Sequence, residues 1–217
     1  MSKTASLLIN EIINRIEGGY YHPDMKAKLR GGENMLSSGE TMFGIDRKNG
    51  GNINTSAEGV AFWNLIDANY SDKHGNTAYY NDMADGKKIP ANVGKQLRQY
   101  VEQIIMNLFN NNVRFLSDGA KKIVLSSPEL LLQFLYACWN GSGNFQKFAN
   151  IVNAAYQNGE RNAKQLYNLV QEARRSRGGL WKKGADKLDV IVANLRKSNG
   201  WLWLALAVLG IYLICKN

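Results

Sequence analysis

Ile16-Glu17-Gly18-Gly19-Tyr20 is followed further on by Ser38-Gly39-Glu40-Thr41-Met42-Phe43-Gly44-Ile45, and the rest of the chain is read outward from this pair. Upstream of the first segment, Leu8, Ile9, Ile12, Ile13 and Ile16 recur at three- and four-residue spacing, which predicts one apolar face of a helix over residues 4–17. Glu17 comes four residues after Ile13, on or beside that face, and Gly18 and Gly19 end the helix. Two effects oppose ionisation of a carboxyl group there. The helix C-terminus carries partial negative charge, and the apolar face removes water from the charged form. Both favour the protonated state that a general acid needs near neutral pH. An ordinary helix-end glutamate before a glycine cap would leave the same pattern.

Glu-Gly-Gly-Tyr, then Pro23-Asp24, then Ser-Gly-Glu-Thr-Met-Phe-Gly-Ile resembles the opening of the phage-type N-acetylmuramidases of glycoside hydrolase family 108 and, more distantly, other lysozyme-like proteins. Glu17, Tyr20, Thr41, Gly44 and Ile45 match the family pattern, whereas Ser38 stands in place of a glycine and the spacer between the segments is longer. The resemblance covers residues 5–47, with a weaker echo at Trp139-Asn140-Gly141-Ser142-Gly143. It implies that Glu17 is the catalytic acid, with Thr41 and Glu40 best placed by motif as the second group and Asp24 and Asp46 behind them. It also implies substrate contacts from Tyr20, Asp24 and Phe43, while Trp139 and Asn140 resemble the aromatic and asparagine of the Tyr-Asn-Ala-Gly segment of lytic transglycosylases, which contact substrate. A helix–turn–helix corner explains Trp139 and Asn140 equally well. No cofactor is implied.

The composition is that of a folded protein, with 45% hydrophobic and 21% charged residues in 217. Cys138 and Cys215 do not make a disulfide framework. His22 and His74 start no ligand pattern, so no metal site is expected. Residues 160–197 hold ten Lys or Arg against four acids, a surplus of six out of the net nine positive charges. This basic end is the part expected to meet an anionic partner. Nucleic acid is disfavoured, because only Tyr167 and Trp181 supply aromatic rings there and no recognition motif is present. No secretory signal is expected at the start of this sequence, since Asn10 and Glu11 interrupt the apolar run.

Residues 18–54 are polar and glycine-rich and are read as a loop-and-hairpin lobe. Thr55 and Glu58 form a capping box opening a helix through Tyr70. Pro90 starts another helix with Val93, Leu97, Val101, Ile104, Ile105 and Leu108 inward. Residues 129–139 are apolar on almost every side and read as the centre of a core. After a break at Asn140-Gly141-Ser142-Gly143 comes a helix carrying Phe145, Phe148, Ile151, Val152 and Ala155, then one from about Glu160 to Arg175, and a basic amphipathic helix covers residues 185–197. Residues 201–215 carry no charge. At about 1.5 Å per residue they extend roughly 22 Å. Trp201, Trp203 and Tyr212 serve as interfacial aromatics.

The expected fold is mainly α: a lysozyme-like domain with a small Gly-rich loop and β lobe, plus a C-terminal transmembrane helix. The domains are residues 1–177 (peptidoglycan cleavage), 178–199 (basic amphipathic linker or helix) and 200–217 (membrane anchor). The expected function is a membrane-anchored, phage-encoded muramidase cutting the β-1,4 bond between N-acetylmuramic acid and N-acetylglucosamine, for wall penetration or lysis. The alternatives are a lytic transglycosylase using the same acid, or an inactive virion structural protein. Expected partners are peptidoglycan, a lipid bilayer through residues 201–215 and other virion proteins. The location follows as the virion membrane or the host inner membrane.

Overall fold

A computed structural model of the chain describes residues 3–17, 20–21, 41–47, 52–70 and 90–197. In chain order these form α1 (Lys3–Ile12), a π-helical turn (Ile13–Glu17), β1 (Tyr20–Tyr21), β2 (Thr41–Met42), β3 (Ile45–Asp46), α2 (Asn52–Thr55), α3 (Ala57–Tyr70) and α4 (Ala91–Asn112). A 3-10 turn (Val113–Phe115) leads to α5 (Asp118–Ser126), α6 (Pro128–Trp139), α7 (Ser142–Gln157), α8 (Ala163–Arg175) and α9 (Gly179–Lys197). The chain divides into two compact units, Met1–Ile16 with Ile105–Asn217, and Glu17–Ile104.

The first unit is built round α6, which α1, α5, α7, α8 and α9 all contact. Its start follows from Ser127, whose Oγ accepts the Leu130 N–H at 3.3 Å, and from Pro128, which fits a first turn that needs no donor. Leu130, Leu131, Leu132, Phe134 and Leu135 are all buried, at about 1.5–3 kcal/mol each. Phe145 of α7 meets Phe134 at 4.9 Å between ring centroids and Phe109 at 5.9 Å. Polar bonds then fix α9 on α8. Tyr167 Oη donates to Asp189 at 2.7 Å, and Gln171 Nε2 donates to Asp189 at 2.7 Å and to the Ala185 carbonyl at 2.9 Å. Arg196 ties α9 to Glu129 of α6. Gly184 allows the close approach of α9, since a Cβ there would stand 2.9 Å from Tyr136 Oη.

In the second unit, β1, β2 and β3 form an antiparallel sheet in that order, pairing Tyr20 with Met42, Tyr21 with Thr41, Thr41 with Asp46 and Met42 with Ile45. Phe62, Trp63 and Ile66 of α3 and Val93, Leu97, Val101 and Ile104 of α4 are buried. The helix expected to begin at a Thr55–Glu58 box begins one residue later. Ser56 Oγ accepts the Gly59 N–H at 3.0 Å while donating to the Ile53 carbonyl at 2.7 Å. Thr55 instead ends α2.

The expected fold is corrected in its C-terminal part. The described residues are mainly helical, but among them no helix is long and apolar enough to cross a membrane. Residues 200–217, where the transmembrane helix was expected, lie outside the described residues. The last described helix, α9, starts at Gly179 rather than Ala185. It is amphipathic in a globular sense: Ala185, Leu188, Ile191, Val192 and Leu195 are buried, while Lys182, Lys183, Asp186 and Lys187 are exposed. Charges on its outer face exclude hydrocarbon, and the buried stripe makes it part of the first unit.

Candidate active site

The apolar spacing of α1 buries Leu8, Ile9 and Ile12, and Ile13 continues that face into the π turn. A π turn spends more residues per revolution than an α-helix, so the phase slips. Asn14 and Arg15 are exposed, and Ile16 and Glu17 are half-buried. Glu17 therefore stands at the edge of the apolar face rather than within it, and Arg15 pairs back to Glu11 at 2.6 Å. Single π turns inside helices occur frequently at functional sites.

Three residues after Glu17 comes β1, whose partner strand carries Thr41. The sheet thus brings the two sequence segments side by side. Met42 and Ile45, facing each other across β2 and β3, are buried, whereas Thr41 and Asp46, the other facing pair, are half-buried. Residues opposite each other in antiparallel strands project to the same side. Thr41 and Asp46 accordingly share the wetter face, and Met42 and Ile45 the core face. The β2–β3 turn is Phe43-Gly44, with φ of 51° and 75°. Two positive φ values in a two-residue loop give the hairpin turn whose twist suits the strands.

Phe43 is costly in that conformation, and its surroundings hold it there. The ring is buried, with the Arg98 guanidinium 4.9 Å from its centroid. Burial lowers the Arg98 pKa, and Glu102 works against that shift. Next to Asp46, Arg47 makes a two-pronged ion pair with Asp67 of α3, at 2.6 and 2.9 Å, with its guanidinium 4.3 Å from the Trp63 ring centroid. This clamp fixes the end of β3 to α3. Arg47, Asp67 and Arg98 carried no motif in the sequence. Arg47 and Asp67 lie twenty residues apart, so only folding reveals the pairing.

Tyr20 is placed by its backbone in β1, opposite Met42. Glu40 and Asp24 lie outside the described residues. Trp139 and Asn140 belong to the first unit, at the end of α6. Trp139 is half-buried. Asn140 Nδ2 donates to the Tyr136 carbonyl at 3.0 Å, and the Asn140 carbonyl accepts from Asn144, so the amide is engaged in ending the helix. Positive φ at this corner belongs to Gly141 (85°), not to Asn140 (−98°).

Part of the basic stretch is already engaged. Arg174 is buried, Arg175 bonds Asp186 and Asp189, and Arg196 bonds Glu129. Among the described residues no group of His, Cys, Asp and Glu is arranged to hold a metal ion. The chain matches no protein-family model, no curated protein and no solved structure.

Proposed function

We propose that the chain is a phage-type N-acetylmuramidase, cleaving the β-1,4 bond between N-acetylmuramic acid and N-acetylglucosamine of peptidoglycan with Glu17 as general acid. The observation that carries this reading is the pairing of β1 with β2, which joins the Glu17 segment to the Thr41 segment in one hairpin-supported sheet. Glu17 is half-buried, partly shielded from water yet reachable by substrate. In the reaction its carboxyl proton passes to the glycosidic oxygen as the C1–O bond breaks and the sugar gains oxocarbenium character. A water then adds to C1 and gives up a proton to a carboxylate. Asp46, in register with Thr41 on the half-exposed face, supports that role, and Thr41 orients the water or the sugar. Glu40 and Asp24 are the other carboxylates of the two motifs.

The presence of Asp46 beside Thr41 favours hydrolysis over attack by the muramic acid 6-hydroxyl. Product analysis tests this. Purified peptidoglycan digested with the full chain should yield new reducing N-acetylmuramic acid ends. Ends that are 1,6-anhydro would instead assign a lytic transglycosylase using the same acid. Undigested peptidoglycan at every enzyme concentration would remove the enzymatic reading.

A further inference from the structure

Arg174 of α8 is fully buried, and the reaction proposed above makes no use of it. Its Nε donates to Gln133 Oε1 at 3.2 Å and its Nη2 to the Gln133 carbonyl at 3.4 Å. Three rings surround the guanidinium, with centroids at 4.6 Å (Phe148), 4.8 Å (Tyr136) and 5.7 Å (Trp181). Ring faces attract a cation and offset part of its lost hydration. Neither they nor an amide supplies a countercharge, and a buried charge without one is expensive. Arg174 Nη1 has no hydrogen-bond partner, and neither does Nε2 of the Gln133 side chain bonded to it. Two donor groups without acceptors therefore lie within one buried, positively charged cluster. Unsatisfied buried donors of this kind commonly mark a bound ion or water.

A second cation adds to the imbalance. The Arg177 guanidinium lies 3.7 Å from the same Trp181 ring centroid, with Nη1 donating to the neutral Asn144 Oδ1 at 2.7 Å. Among the described residues no carboxylate forms an ion pair with Arg174 or Arg177. Burial above all, with Arg177 adding to it, brings the Arg174 pKa down to about 10, against the pull of Tyr136 and Tyr167. Trp181 itself belongs to the first turn of α9, a helix of 19 residues with no acidic residue in that turn. A helix N-terminus carries partial positive charge and unpaired N–H groups suited to anions.

We propose that Arg174, Arg177 and the start of α9 form a binding site for a small oxyanion, a carboxylate or phosphate group, whose oxygens accept from Arg174 Nη1 and Gln133 Nε2. Gln133, Tyr136 and Phe148 are buried, Trp181 is half-buried and Arg177 is exposed, so the indole and Arg177 lie on the solvent side of the site. The site lies within the first unit and stands independently of the reaction proposed for Glu17.

Isothermal titration of the full chain with sodium phosphate and with sodium acetate, each against sodium chloride of equal ionic strength, tests it. The expected result is saturable binding of phosphate or acetate, lost in Arg174→Met and weakened about tenfold or more in Arg177→Ser. A preference for phosphate or for acetate names the group recognised. If Arg174→Met does not fold, Gln133→Leu takes its place, because it removes the Nε2 donor to the anion and leaves the charge. An adventitious ion only, seen as the same non-saturating heat in wild type and in these variants, would overturn the proposal.

Discussion

Phe43 and Gly44 show at the scale of single residues how the candidate site is held. An L-residue in the left-handed region costs roughly 1–2 kcal/mol, and a bulky side chain there is a clear outlier. Phe43 accepts φ of 51° because burial of its ring and the Arg98 contact keep it in place. Gly44, at φ 75°, completes the turn without that cost. Gly44→Ala should therefore destabilise the fold by about 1–2 kcal/mol, since native φ is unsuited to alanine. A lowered urea midpoint with unchanged slope would show it, and an unchanged midpoint would mean that the turn relaxes freely. The sequence quoted Phe43-Gly44 as part of a motif but could not say that the phenylalanine takes the left-handed conformation. Asn or Gly is the usual choice there, and what overrides that preference is packing from residues far along the chain.

At the scale of elements, helix positions were legible because apolar spacing and caps act locally. Residues 129–139, apolar on almost every side, announced α6 and its central position. The sequence reading left α5 unassigned, and it did not anticipate the π turn before Glu17. A slip from α to π geometry changes only a few hydrogen bonds and leaves little trace in composition. The α8–α9 contact was also hidden, because it depends on polar residues that look like surface in a one-dimensional reading. Tyr167 is the clearest case. Burial first, then its bond to Asp189, raises the phenol pKa well above the usual tyrosine range. A group whose folded pKa exceeds its unfolded value gives stability that is full below the unfolded pKa. That stability is lost as pH rises above it, here from about pH 10 upward. Arg174 acts in the opposite sense, because a cation with a lowered pKa favours the folded state as pH rises. Comparison with Tyr167→Phe isolates the tyrosine. The wild type should lose stability more steeply than the variant between neutral pH and strongly alkaline pH, measured by denaturant melts. Parallel pH profiles would show that Tyr167 ionises as freely in the folded chain as in the unfolded one.

For the whole molecule, charge counting was a poor guide to the surface. The surplus of Lys and Arg in residues 160–197 is partly engaged, with Arg174 buried and Arg175 and Arg196 paired to carboxylates at the surface, and α9 belongs to the core of the first unit. The expected transmembrane architecture is corrected to what the described residues show: no helix among them has the length and apolarity to span a bilayer, and residues 200–217 lie outside them. By contrast, the two motifs that pointed to a reaction do meet: Tyr20 pairs with Met42 and Tyr21 with Thr41, in the same unit as Glu17. Their proximity was implied by resemblance alone, because strand pairing across residues 22–40 leaves no periodic signal. The central claim is that Glu17 donates the proton that releases the leaving sugar. The most direct measurement is the rate of reducing-end release from purified peptidoglycan by wild type and by folded Glu17→Gln, which keeps the side-chain shape but has no carboxyl proton. The account predicts a loss of about 10²–10⁴-fold with an unchanged unfolding midpoint, whereas a variant that cleaves at the wild-type rate would contradict it.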